Sequence, residues 1–346
     1  ESIVSASHVD LVLGTKEKFN ILHHLQFAAE SSDPLIVQDS EIDEIHGCIP
    51  SYSLGDRTRS FLKIQDGCDY PCTYCTIPLA RGKSRSIDPD ILVAQAAEIA
   101  QQGVREIVLT GVNVGDYRFE NLLLIDLLKR LDIVEGIDRI RISSIEPNLL
   151  TDKIIAFVAQ SRSILPHFHI PLQAGSDSVL RKMKRRYDVA LYKDRINSVR
   201  KVLPNAGIGV DVIVGFPGEA EKEYLETYDL LQELDVSYFH VFTYSERPNT
   251  EAIKLPGKVD MPVRKLRNRG LTELSAAKNK IFALRHINQQ TQVLFETWSD
   301  GFLSGMTENY LKVYVQSDHQ AFLNTIQTVE LTGYIDDRIM ATFSSE

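Results

Sequence analysis

The strongest constraint on the fold is an alternation. Six short runs rich in β-branched and aromatic residues, at 60–65, 106–109, 139–143, 167–170, 209–214 and 238–242, are separated by stretches whose apolar residues recur every three or four positions, at 90–102, 122–131, 152–160, 190–203 and 221–234. The first set reads as strands and the second as helices. Asp88 before Pro89 and Thr151 before Asp152 stand where helices start, and Gly103 and Gly136 where they stop. Strands joined through connections that long pair in parallel, since antiparallel neighbours need only a tight turn. The expected core is an α/β fold with a parallel sheet, open or curled, over residues 58–287.

Two segments flank it. Residues 1–57 hold one strand-like run, 9–13, and one helical run, 15–29, followed by an acidic stretch; that is too little for a domain. After a basic helical segment from 263 to about 288, residues 291–346 turn β-rich, with VLFETW, LKVYVQ, TVELTGYI and IMATF at the regular spacing of a small five-stranded barrel, the domain 288–346.

The net charge of −9 argues against nucleic acid as a partner, but the average hides a pattern. Residues 1–57 carry three Lys and Arg against ten Asp and Glu, and residues 288–346 carry two against eight, so the middle is mildly basic. Its charge is clumped at Arg181, Lys182, Lys184, Arg185 and Arg186, at Arg264, Lys265, Arg267 and Arg269, and at Arg81, Lys83 and Arg85. Any one run reads first as a solvated helix face; three together make an anionic partner plausible. With 43% hydrophobic and 25% charged residues the chain sits near globular averages, and no apolar run approaches a membrane span. Four cysteines, three of them within eight residues, do not make a disulfide scaffold and point to a reducing compartment. The opening ESIVSASHVD has neither a basic nor an apolar signal region. A cytoplasmic monomer without membrane contact is expected.

In parallel α/β folds the loops after the strands gather on one rim, where sites are built. Here these loops read GCDYPCTYC, TGVNVGD, SSIEPN, PLQAGSD, GFPGE and YSERPNT, and they hold nearly all the unusual chemistry. Cys68, Cys72 and Cys75 put three thiols in a loop that can wrap one metal site. Zinc knuckles and electron-transfer clusters normally close with four ligands. A cubane iron-sulfur cluster held by three keeps one iron open for a substrate or cofactor.

This motif, with Tyr74 before its last cysteine, resembles the radical S-adenosylmethionine (SAM) superfamily. Together with IQDGCDYPCTYCTIPLARGKSRS, SSIEPN, HFHIPLQAGSD, GVDVIVGFPGE and HVFTYSERPNT it resembles the methylthiotransferases, from about His8 to the end. The resemblance implies a partial (β/α)6 barrel with a carboxyl-terminal OB-like TRAM barrel. It also implies a 4Fe-4S cluster on the three cysteines whose open iron binds SAM, and a 5′-deoxyadenosyl radical that removes hydrogen from adenine C2. SSIEPN and TYSERPNT tilt it toward members that add a 2-methylthio group to N6-threonylcarbamoyladenosine next to the tRNA anticodon, rather than relatives acting on a ribosomal protein. Tyr74 and the run containing Val214 and Gly215 should flank the adenine of SAM. Asn113 and Glu146 should hold its amino or ribose groups, with Gln173 and Asp211 lining the same pocket. Arg81, Arg85, Arg185, Arg186 and Arg267 are the candidates for RNA phosphates. A reductant and a sulfur donor are the further partners implied.

Simpler readings stand beside these. Gly215, Pro217 and Gly218 also describe a turn leaving a strand, Glu146 a helix-capping acid, and Trp298, Tyr310 and Tyr314 core packing. The charge of the terminal barrel argues against an electrostatic clamp on RNA. The family's amino-terminal domain holds a second, auxiliary 4Fe-4S cluster, and HVDLVLGTKEKFNIL resembles only its last strand and helix; the auxiliary ligands are therefore expected to be absent here, and methylthiolation to stop short of completion. Cys48 reads as inert and His46 beside it as a weak partner. A non-catalytic zinc-stabilised RNA-binding protein, with His167 or His169 as fourth ligand, is the alternative from another class.

Overall fold

The computed structural model describes residues 9–14, 17–28, 35–37, 48–53, 58–318 and 320–344. The core strands are β1 (Arg59–Lys63), β2 (Glu106–Thr110), β3 (Arg139–Ile142), β4 (His167–His169), β5 (Gly207–Val214) and β6 (Tyr238–Thr243). All six lie within two residues of their expected bounds at either end. β1, β2 and β3 pair in parallel, as do β4, β5 and β6, and a parallel bridge from Ser144 to His169 joins the two sets. Among the described residues β1 and β6 do not pair, and the outer edge of β1 instead takes the short antiparallel strand Ser51–Tyr52. The sheet is a curl in sequence order, the partial (β/α)6 barrel.

Alternation divides each strand between two environments. Leu62, Ile107, Leu109, Ile140, Ile142, Phe168, Ile208, Val210 and Val212 belong to the main core. On the alternate face, toward the inside of the curl, polar Arg59, Glu106, Arg139, Arg141, His167, His169, Asp211 and His240 stand among apolar Phe61, Val108, Ile213 and Phe242. Covering helices are α1 (Pro89–Gln101), α2 (Leu124–Asp132), α3 (Asp152–Val158), α4 (Asp177–Lys182), α5 (Val189–Val202) and α6 (Glu221–Glu233), followed by the long α7 (Met261–Leu284). Their starts obey local chemistry. Asp88 accepts from the Asp90 N–H at 2.8 Å with Pro89 in the first turn, and Asp188 accepts from the Leu191 N–H at 2.8 Å. No helix among the described residues is long and apolar enough to cross a membrane.

Near the amino terminus, Leu11–Leu13 pairs in parallel with Leu35–Val37, and the expected helix is a 3-10 turn, Glu17–Asn20, running into Ile21–Ala28. Residues 15, 16 and 29, His46 and most of the acidic stretch lie outside the described residues. Cys48 packs against the main core.

Strands β7 (Gln290–Ser299), β8 (Phe302–Thr307), β9 (Lys312–Gln316), β10 (Ile326–Ile335) and β11 (Arg338–Phe343) form the closed five-stranded barrel, in the order β7-β8-β9-β11-β10. It docks on the starting ends of the core strands. Buried Arg139 donates to the Met306 and Gln292 carbonyls at 3.0 and 2.9 Å, and Arg59 pairs with Glu296 at 2.6 Å. Tyr310 stacks on His167 at 4.5 Å and lies under Arg141 at 4.8 Å, so core packing accounts for it. Trp298 donates to the Ser317 carbonyl at 2.9 Å, and Tyr314 lies between Lys312 and Arg338. The approach requires glycine at the start of β5, because a Cβ on Gly207 would sit 2.1 Å from the Asn309 carbonyl oxygen. Gly207→Ala should therefore cost roughly 1–3 kcal/mol by overpacking. Urea unfolding should show a lower midpoint, with the loss concentrated in the signal of Trp298, the single tryptophan, which lies in the terminal barrel.

Candidate active site

The chain leaves β1 through Gln65–Asp66, which pairs with Arg85–Ser86, and turns at Gly67, where φ is +73° and a Cβ would lie 1.9 Å from the Lys83 carbonyl oxygen. Glycine is demanded there. The cysteine loop that follows is tied down from both sides. Cys68 N–H donates to the Gly82 carbonyl at 3.1 Å, Thr73 N–H to the Met183 carbonyl at 3.2 Å, and the Thr73 hydroxyl to the Lys182 carbonyl at 2.9 Å.

Each of the three sulfurs receives one N–H donor. Tyr70 N–H reaches Cys68 Sγ and Ile77 N–H reaches Cys75 Sγ, both at 3.4 Å, while Arg185 Nη1 reaches Cys72 Sγ at 3.0 Å. Donors aimed at sulfur suit thiolates. Without metal, burial pushes the Cys68 thiol up to about 11, with Cys72 and Cys75 adding to the rise, and burial raises Cys72 too. Iron would take up that unfavourable charge. Among the described residues no three His, Cys, Asp or Glu side chains meet the geometry of a single ion. A cubane does not ask for that, because it takes each thiolate on a different iron.

Of the expected cofactor residues, Tyr74 lies in the loop itself, and Glu146 is joined to it through Arg185, which contacts both Glu146 and Cys72. Asn113, after β2, is buried, and both polar atoms of its carboxamide lack a hydrogen-bond partner. An orphaned amide at this rim fits a bound polar ligand such as the amino-acid part of SAM. Tyr74 is edge-on to Phe216 with centroids 6.2 Å apart, and burial raises its pKa. Gln173, at φ +64°, is held by backbone bonds to Asp211 and Ile213, both 2.8 Å. The Asp211 carboxylate lies 3.0 Å from His169 Nε2, without hydrogen-bond alignment. Val214 is buried beneath this level. Gly215 follows the turn reading: its N–H donates to Glu219 at 2.9 Å, and a Cβ would come within 2.3 Å of the Arg264 side chain. The SSIEPN glutamate is no cap; the Glu146 side chain forms an ion pair with Arg185.

Two of the RNA candidates need correction. Arg185 is buried beside Cys72, hydrogen-bonded to Glu146, Tyr74 and Tyr187. Burial works against its charge, but Tyr187, Tyr74, Glu146 and Cys72 more than offset it, leaving the pKa above the usual guanidinium range. It belongs to the site rather than to a phosphate-facing surface. Arg267 is buried too, paired with Glu219 at 2.8 Å and Glu221 at 3.1 Å. Arg85 turns back to the carbonyls of Arg81 and Lys83 at 2.9 and 2.7 Å. Arg81 and Arg186 remain on the surface beside the loop, Arg186 lying 4.0 Å over the Tyr70 ring. Beside Arg81 opens a cavity of about 600 Å³ lined by Phe61, Lys63, Ile77, Thr110 and Val112 among others.

A three-cysteine loop at the mouth of a parallel six-stranded curl defines a radical SAM protein, and residues 62–231 match the family model described as the Radical SAM superfamily. The chain is 39% identical over 324 residues to threonylcarbamoyladenosine tRNA methylthiotransferase MtaB of Bacillus subtilis (strain 168), covering 90% of this chain and 71% of that protein. It is 35% identical over 319 residues to the MtaB of Aquifex aeolicus (strain VF5), covering 90% and 76%. To the tRNA-2-methylthio-N(6)-dimethylallyladenosine synthase of Natranaerobius thermophilus (strain ATCC BAA-1301 / DSM 18059 / JW/NM-WN-LF) it is 34% identical over 327 residues, covering 91% and 71%. The chain belongs to the radical SAM methylthiotransferase family, and membership implies a 4Fe-4S cluster and SAM.

Arg185→Met should cost roughly 2–3 kcal/mol in equilibrium unfolding, because it strands the partly buried Glu146 carboxylate, and should leave the salt dependence of tRNA binding unchanged. Arg186→Ala should do the reverse, sparing stability and lowering the salt slope by about one. A pH series tests the loop anchor. Burial works to raise the Asp66 carboxyl, but hydrogen bonds from Lys63 at 2.7 Å, Arg81 at 3.1 Å and the Gly67 N–H bring it from 3.8 to about 2. That lowered value stabilises the fold above the unfolded pKa, and the contribution is lost as pH falls through about 2. Asp66→Asn should thus lose roughly 2 kcal/mol at neutral pH and little at pH ~1.5.

Proposed function

We propose that this protein is a radical SAM methylthiotransferase that adds a 2-methylthio group to N6-threonylcarbamoyladenosine next to the anticodon of tRNA. The observation that carries the reading is the trio of thiols at the mouth of the curl, each sulfur met by an N–H donor, with the unpartnered Asn113 amide on the neighbouring loop. Cys68, Cys72 and Cys75 would hold the cluster. When bound, the cluster and SAM would supply radical chemistry, with the reductant as the source of the electron and SAM as its acceptor, which removal of hydrogen from the unactivated adenine C2 position requires. The chain's own task is to bind, orient and keep water out. Asn113 offers a donor and an acceptor to the amino-acid end of SAM, Tyr74 walls the mouth, and Arg185 fixes Glu146, Cys72 and Tyr74 relative to one another. Arg81 and Arg186 meet RNA phosphates at the rim. A reductant and a sulfur donor complete the partners, and the setting is the cytoplasm, with no membrane surface involved.

Anaerobic reconstitution with iron and sulfide should give broad visible absorption, an EPR-active reduced state and on the order of four irons on the three cysteines. Cys72→Ala should lose all three signals while keeping its circular dichroism. One tightly held zinc and no iron in the wild-type chain would sink the reading and favour the zinc-stabilised binder. Substrate is decided by nucleoside mass spectrometry of tRNA from a deletion strain. Loss of the 2-methylthio form of N6-threonylcarbamoyladenosine is expected; loss of only the dimethylallyl counterpart, or unchanged tRNA with an unmodified ribosomal protein, would reassign the substrate.

A further inference from the structure

Between the cysteine loop and the loop that presents Asn113 lies one side chain that touches both. Gln65 is completely buried. Its Oε1 accepts the N–H groups of Val112 at 3.0 Å and Asn113 at 2.9 Å. Its Nε2 donates to the Gly67 carbonyl at 2.8 Å, the Ser84 hydroxyl at 2.9 Å and the Asp66 carbonyl at 3.2 Å. The orientation is unambiguous, because the reversed amide would set donor against donor on one side and acceptor against acceptor on the other. No other side chain of this length offers two lone pairs at one tip and two protons at the same tip; Glu lacks the donors and brings a buried charge, and Met lacks both.

The fit is close. A Cβ on Gly111 would come to 3.0 Å of Gln65 Oε1, so any side chain on the loop after β2 at this point would crowd the Gln65 amide. On the other side, Gly67 and Ser84 belong to the strap that shapes the turn into Cys68. Asn113 depends on this bond more than an ordinary residue would, since its own carboxamide makes no hydrogen bond that could fix its place.

We propose that Gln65 is a positioning residue that sets Asn113 at a fixed offset from the cluster cysteines, so that a SAM molecule held at the cluster also meets the Asn113 amide. The proposal rests on the reading of Asn113 as a SAM contact, and its test separates the two. SAM affinity is measured by equilibrium dialysis on the anaerobically reconstituted chain, with the EPR spectrum of the reduced cluster recorded with and without SAM, for the wild type, Gln65→Ala, Asn113→Ala and the double variant.

Gln65→Ala and Asn113→Ala should each weaken SAM by about tenfold or more with the iron content unchanged, and the double variant should be no more than about twofold weaker than the weaker single variant, because the two act as one unit. The SAM-dependent change in the EPR spectrum should shrink in all three. Penalties that multiply to about a hundredfold would overturn the proposal, as would a Gln65→Ala chain that binds SAM within about twofold of wild type while Asn113→Ala does not. An Asn113→Ala chain with wild-type affinity would instead overturn the reading of Asn113, and the proposal with it. If Gln65→Ala fails to fold or to take up iron, Gly111→Ala, which pushes on the same bond from the opposite loop, replaces it in the cycle with the same expected and overturning results.

Discussion

A buried guanidinium holds the mouth of the curl together. Arg185 arrives from the segment after α4, more than a hundred residues beyond the cysteines, and reaches Cys72, Glu146, Tyr74 and Tyr187 at once. A planar group with five donors can serve several acceptors whose positions come from different loops, which an ammonium on a flexible stem would do less well. Such a group costs much to bury unless every partner is in place. The same contacts that neutralise the charge therefore bind the loops after β1, β3 and β4 into one frame, and the cysteine loop is presented on that frame rather than on a free strap.

The two ends of the curl are built from different chemistry. At the mouth, short polar contacts from main chain and amide groups leave sulfur and a carboxamide available. At the opposite end, Arg139, Arg141 and His167 are consumed by the carbonyls and the Tyr310 ring of the terminal barrel. Backbone carbonyls of the barrel take most of these arginine contacts, and of its described acidic side chains Glu296 is the one that pairs with the core, at Arg59.

Much of this was legible in the sequence, for reasons that are physical. Periodicity reports which side of an element is buried, so the six strands and the helices between them could be placed to within a few residues, and Asp88, Thr151 and Gly103 marked their ends. Three cysteines at short spacing need no knowledge of the fold to suggest a shared ligand. Charge was read less well. A run such as Arg181 to Arg186 looks like a solvated face, yet Lys184 takes φ +56° and the chain turns there, putting Arg185 inside and Arg186 outside. Nothing in the run distinguishes the two, since the partner that makes burial tolerable, Glu146, is 39 residues away. Arg267 is hidden for the same reason, its carboxylates Glu219 and Glu221 lying in the turn before α6 and at its first residue. Gln65 left no mark at all, because a glutamine at a strand end is commonplace until the two loops it joins are seen together.

The Tyr310 contact has a bearing on how a reactive species could be contained. A curled sheet open at both ends would be a duct through which solvent and oxygen could pass behind any cofactor seated in it. With the tyrosine ring seated against His167 and the arginines closed around it, the duct becomes a cup. Arg139, Arg141 and His167 are all buried at that end, so whatever is seated at the mouth is backed by packed protein rather than by water.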